Sequence, residues 1–210
     1  MGLKILFTSD FHADETLKQA AIEEANSGDY DIFLNLGDFM DEDFARDLLE
    51  SIDIPALGCT GNRDMHFSKE FLDGSVPVYN FLEADIDDDF LLILIGGDFP
   101  EDVKAQVEEL LEDRDPSKVI IGSHYPPKKM KDRIHTGERV GFEQFRELMI
   151  KYKPALWASG HIHEDFGRDS LFSTEFINTA SEESKKGYSV EMNEEGGVKS
   201  IEEVNLIDEE

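Results

Sequence analysis

The sequence predicts an α/β fold, and two observations carry that expectation. Short apolar runs alternate with stretches of helical period from the first residues onward, and beyond Phe172 the pattern turns strand-like. The first run, Lys4 to Ser9, is followed by Leu17, Ala20, Ala21 and Ala25 at i, i+3, i+4 spacing, a helix with one buried face and Asp14 as its expected N-cap. The runs Asp31 to Leu36 and Ile54 to Cys59 bracket a second helix through Phe44, Leu48, Leu49 and Ile52. Phe90 to Ile95 precedes a third, through Val103, Val107, Leu110 and Leu111, with Pro100 expected as an early helical residue. Val119 to Gly122 and Ala155 to Ser159 enclose the fourth, through Phe142, Phe145, Leu148, Met149 and Tyr152. Strands are then expected over Phe172 to Thr179, Gly187 to Met192 and Val198 to Ile207, the last two joined as a hairpin by Glu194-Glu195-Gly196-Gly197. Neither an internal repeat nor a linker is evident, and Asp208-Glu209-Glu210 reads as a frayed acidic tail.

With 210 residues and 40% hydrophobic side chains, the composition is globular and a single domain over residues 1–210 is expected. Asp and Glu number 48 against 20 Lys and Arg, a formal net charge of −28. Such a surface repels polyanions, so long nucleic acid and anionic membranes are poor partners. Cys59 is the only cysteine, which points to a reducing compartment and a small core residue. The N-terminal run is too short for a signal-peptide core, and no apolar stretch is long enough to span a bilayer. Gly2 follows Met1, but Leu6 stands where a myristoylation site needs Ser or Thr. A cytoplasmic location is expected.

What ends the apolar runs is more informative than the runs themselves. Asp10 and His12 follow the first, Asp38 the second, Asn62 the third, His124 the fifth, and His161 with His163 the sixth. All are metal-ligand residue types, and four of the six histidines are among them. Loops beyond the carboxyl ends of strands in an α/β sheet converge on one crevice, so these side chains can meet there. Each piece alone reads equally well as a helix cap or turn residue; the ordered set, at successive strand ends, is far harder to reach by chance.

Asp10-Phe11-His12, Gly37-Asp38, Gly61-Asn62-Arg63-Asp64, Gly122-Ser123-His124 and Gly160-His161-Ile162-His163 resemble the ordered motifs of the calcineurin-like metallophosphoesterase superfamily. The resemblance spans roughly residues 3 to 181. It implies a four-layer αββα sandwich of two mixed sheets with a dinuclear site at one edge, and no insertion large enough for a capping domain interrupts the motifs. It also implies that Asp10, His12 and His163 hold one divalent ion, that Asn62, His124 and His161 hold the other, and that Asp38 bridges them. The third motif usually reads Gly-Asn-His, its His acting as general acid; Arg63 stands there in this chain. Arginine stays protonated, so it can bind or polarise phosphate but not deliver a proton. His66 reads as an exposed histidine at a helix start sooner than as a substitute donor, and Asp64 is an expected orienting residue, paired with Arg63.

The activity so implied is hydrolysis of a small phosphate ester, a phosphodiester first, by in-line attack of a metal-bridging hydroxide. Asp38, Asn62, Arg63, Asp64 and His124 are the catalytic candidates. The thiolate-free ligand set suits Mn, Fe, Ni, Co or Zn, and the resemblance makes manganese the first expectation. Two other readings are a metal-dependent nuclease, which the net charge opposes, and a non-catalytic metal-binding scaffold, which only Arg63 favours. The basic stretch Lys128-Lys129-Met130-Lys131-Asp132-Arg133 reads as a solvated loop sooner than as a recruiter of anionic substrate, Asp98 as structural, and His135 has no assigned role.

Overall fold

The computed structural model describes residues 2–74, 76–87 and 89–207; the anticipated tail Asp208-Glu209-Glu210 lies outside them. In chain order the elements are β1 (Lys4–Thr8), α1 (Glu15–Ser27), β2 (Ile32–Asn35), α2 (Glu42–Glu50), β3 (Ala56–Cys59), α3 (Lys69–Leu72), β4 (Val78–Tyr79), β5 (Phe81–Ile86), β6 (Phe90–Ile95), α4 (Val103–Leu111), β7 (Val119–Ser123), α5 (Glu143–Tyr152), β8 (Leu156–Ser159), β9 (Gly167–Leu171), β10 (Thr174–Asn178), α6 (Ser181–Ser184), β11 (Lys186–Met192) and β12 (Val198–Asn205). Asp14 caps α1 as expected, its carboxylate accepting from the amides of Thr16 and Leu17. Asp41 does the same for α2 through Asp43 and Phe44.

Two six-stranded mixed sheets result. The first runs β12-β11-β1-β2-β3-β4 and the second β5-β6-β7-β8-β10-β9. In the first sheet β1, β2, β3 and β4 are mutually parallel, and in the second β6, β7, β8 and β10 are. Strand β6 shows why the layers stack. Its sequence is apolar at every position, and every one of its side chains is buried, the signature of a strand covered on both faces. Leu92 and Leu94 point into a core shared with Ile5, Phe7, Leu34 and Ile120, between the two sheets. Leu91, Ile93 and Ile95 point the other way, against Val103 and Val107 of α4 and Leu148 of α5. In the first sheet, Leu6 and Phe33 face Leu17 of α1 and Leu48 of α2. Three apolar cores separate four layers, helix, sheet, sheet, helix, as the resemblance implies.

Three strands were not anticipated, and several boundaries move by a few residues. Strands β4, β5 and β9 gave no readable apolar run. Pro100 lies before α4 and not in it: its carbonyl accepts from the Val103 amide in a turn that precedes the helix. Phe172 is an exposed turn residue with φ 56°, joining β9 to β10, and not the start of a strand. No helix among the described residues is long and apolar enough to cross a membrane.

Candidate metal centre

Parallel strands deliver their carboxyl ends to one edge of the sandwich, and backbone hydrogen bonds tie the loops there together. The Asp10 amide donates to the Gly37 carbonyl, the His12 amide to Asp38, the His124 amide to Ile95 and the Gly160 amide to His124. A parallel bridge between Ser9 and Ala180 joins the edges of the two sheets. The side chains that follow β1, β2, β3, β7 and β8 are thereby brought together. His12 Nε2 lies 3.1 Å from Asp38 Oδ2, and His163 Nε2 lies 3.3 Å from Asp10 Oδ1. His124 Nε2 is 2.9 Å from Asn62 Oδ1 and 3.6 Å from Asp38 Oδ1. Two triads, Asp10-His12-His163 and Asp10-Asp38-His124, each have ligand atoms within 4.8 Å of one another and could hold an ion. Donors about 2.1 Å from one ion and at right angles to each other sit about 3 Å apart, so these separations fit a metal.

The imidazole of His161 packs at 5.0 Å from that of His124 and 4.7 Å from the Tyr125 ring, and its backbone amide donates to both oxygens of Asp10. Asp10 and His124 are fully buried beneath a cleft of about 330 Å³ lined by His12, Asp38, Asn62, Arg63, His161 and His163, among others. A larger hollow of about 800 Å³, beside Lys4, Asp31 and Glu191 at the far end of β1, holds none of these residues.

The chain accepts local cost to hold this arrangement. Asp10, His12, Asp38 and His161 all have φ between 48° and 71°, a left-handed conformation that costs a non-glycine residue free energy and clusters at functional sites. The carboxylates also need glycine beside them: a Cβ on Gly61 would overlap Asp38 Oδ1, and one on Gly160 would overlap Asp10 Oδ2. Charge is arranged as tightly. Burial opposes ionisation of Asp10, yet the hydrogen bond from His163 and the neighbouring imidazoles hold its carboxyl at about 2. The same hydrogen bond to Asp10 raises His163 to about 9 against the pull of its burial. Burial lowers His161 to about 4, which leaves a neutral ring with a free lone pair.

The sequence pattern of the calcineurin-like phosphoesterase family matches residues 3–165. The chain belongs to this family. No curated protein matches it in sequence. Among solved structures, the protein TT1561 of Thermus thermophilus superposes with a TM-score of 0.71 at 14% identity, over 99% of this chain and 100% of that one. A dimetal phosphatase from Danio rerio gives 0.65 at 13% identity, covering 98% and 99%. An archaeal phosphodiesterase gives 0.57 at 16% identity, covering 96% and 99%. At these identities the likeness is one of fold.

Within this phosphoesterase frame several expectations change. Asp64 does not pair with Arg63. Its buried carboxylate instead accepts from the amides of Asp38, Phe39, Met40 and Gly61, and so fixes the loop that carries Asp38. Arg63 is exposed at the cleft, its backbone amide donating to Asp38 Oδ1 at 2.8 Å. His66 is exposed, packs edge-on against Phe67 and is not among the residues that line the cleft. The basic stretch is an ordered loop: Met130 and Asp132 are buried, and Asp132 accepts from Arg139 and from the amides of Lys129 and Gly141. This loop brings Ile134 and His135 to the cleft, where His135 Nε2 lies 3.1 Å from Glu164 Oε1. Glu182 of α6 was missed altogether. One of its oxygens lies 2.9 Å from Nδ1 of both His12 and His163. The segment Ser181-Glu182-Glu183-Ser184 follows the expected strand Phe172 to Thr179, but it carries no ligand spacing, and an acidic pair is no signal in a chain with 48 acidic residues.

Proposed function

We propose that the chain is a one-domain phosphoesterase, without a capping domain, that uses two divalent ions to hydrolyse a small phosphodiester. In this reading Asp10, His12 and His163 hold one ion, Asn62, His124 and His161 the other, and Asp38 lies between and serves both. The observation that carries it is the convergence of these seven side chains, from five strand ends, on a single cleft. When bound, two such ions supply Lewis acidity toward phosphate oxygens and lower the pKa of water from about 15.7 toward 7. Manganese is the first choice, with Fe, Ni, Co and Zn compatible with the nitrogen and oxygen donors. Asp64 holds the Asp38 loop, and Arg63 offers a fixed positive charge to a phosphate oxygen without a proton to give.

A diester suits this cleft better than a monoester. Glu164, Glu182 and Glu183 add negative charge close to it, and a singly charged diester is repelled less than a doubly charged monoester. The same charge, and −28 overall, supports a small substrate over a long nucleic acid. A cytoplasmic location is supported by Cys59, a lone buried thiol that burial keeps protonated. The test combines elemental analysis with hydrolysis of bis-p-nitrophenyl phosphate and p-nitrophenyl phosphate by manganese-loaded protein. Two ions per chain and faster diester hydrolysis are expected, with Asp38→Asn losing turnover at least about a hundredfold. Full activity and full metal content in Asp38→Asn would contradict the role given to that carboxylate.

A further inference from the structure

Glu182 touches two candidate ligands of the same ion, and the chemistry of that contact is specific. A carboxylate oxygen accepts hydrogen bonds and cannot donate them. One oxygen at 2.9 Å from Nδ1 of both His12 and His163 therefore requires N–H on each of those atoms. With an ion bound, a neutral ring that gives its Nδ1–H to Glu182 offers the lone pair on Nε2, the atom that faces Asp38 at 3.1 Å in one case and Asp10 at 3.3 Å in the other. We propose that Glu182 is a positioning residue that locks His12 and His163 together, in orientation and tautomer, as ligands of one ion of the pair. The proposal rests on the two-ion reading above. Ligating histidines characteristically give their second N–H to such a partner, and losing it typically weakens metal binding 10–100-fold.

Glu182 is held for this task by its short helix. The Ser181 amide donates to the Ser9 carbonyl at 3.0 Å, Ser181 Oγ donates to the Thr179 carbonyl, and Lys185 pairs with Asp14 at 3.2 Å. The helix is thus anchored to the end of β1, the strand that leads into Asp10 and His12. The two histidine rings lie 4.9 Å apart, close enough for one oxygen to serve both. The second ion position is supported differently, since His124 Nδ1 meets the backbone carbonyl of Leu36 at 2.9 Å. Loss of Glu182 should therefore be felt at one ion and not at both.

Calorimetric titration of the metal-free protein with manganese, and separately with zinc, tests this without any assay of turnover. Glu182→Ala is expected to weaken one of the two binding events about 10–100-fold and to leave the other within about threefold. Glu182→Gln, whose amide oxygen can still accept from both rings, should recover part of the loss. Glu183→Ala removes the same charge from the same helix without that contact, and should leave both events within about threefold. Unchanged constants in Glu182→Ala, an equal loss at both positions together with a lowered melting temperature, or an equal effect of Glu183→Ala would each overturn the role of Glu182. A wild-type protein that takes up neither metal would instead overturn the two-ion reading itself.

Discussion

Arg63 occupies the position where the family motif places a proton donor, and its guanidinium is charged at every working pH. Arg63→His is accordingly expected to raise hydrolysis of esters with poor leaving groups by about 10-fold or more, while aryl esters, whose leaving groups need no proton, change little. Rates on alkyl and aryl phosphodiesters, compared side by side, check this; equal effects on both would remove the explanation. The ionisation of the same cluster fixes a pH dependence. His163 is raised from 6.5 to about 9 by Asp10, so the stabilisation it gives the metal-free protein is complete below pH 6.5 and lost as pH rises through 9. Asp10 is lowered from 3.8 to about 2, so its share is present above pH 3.8 and lost as pH falls toward 2. Urea midpoints measured in chelator should therefore fall between pH 6.5 and 9. With manganese present the same interval should show no such fall, because an ion needs the ring that the proton leaves.

At the scale of elements, the layered core makes a graded prediction. Leu94 is fully buried between the sheets in the uniformly apolar β6, whereas Ser170 is exposed on β9. Leu94→Ala should cost about 2–5 kcal/mol in urea unfolding and Ser170→Ala no more than about 0.5 kcal/mol. The same contrast explains what could be read in the sequence. Strands β1, β2, β3, β6, β7 and β8 are central, covered on both faces, and write themselves as apolar runs. Strands β4, β5 and β9 were invisible because each lies at a sheet edge, where fewer side chains must be apolar; β9 is Gly-Arg-Asp-Ser-Leu and β5 alternates partly buried with exposed positions. The fourth edge, β12, was legible only through its hairpin turn with β11. Site residues divided in the same way. The seven proposed ligands stand within about four residues of the ends of apolar runs and so were marked by them. Glu182 and His135 reach the cleft by way of a four-residue helix and an ordered loop, whose sequences carry no periodic signal, and Asp64 was recognised but given the wrong partner.

On the scale of the whole molecule, the fold separates two electrostatic problems. An exterior with a net charge of −28 repels anions in general, while the edge where both sheets end gathers ligands for cations that would reverse the sign locally. Both sheets are needed for this, since Asp10, His12, Asp38 and Asn62 come from the first and His124, His161 and His163 from the second. The central claim is that these seven side chains enclose a pair of ions. Anomalous diffraction at the manganese edge, from crystals grown with manganese, tests it most directly. Two peaks about 3.5–4 Å apart, one beside His12 and His163 and one beside Asn62 and His161, are the expected result. A map with no peak in this cleft, or with its peaks elsewhere on the protein, would contradict it.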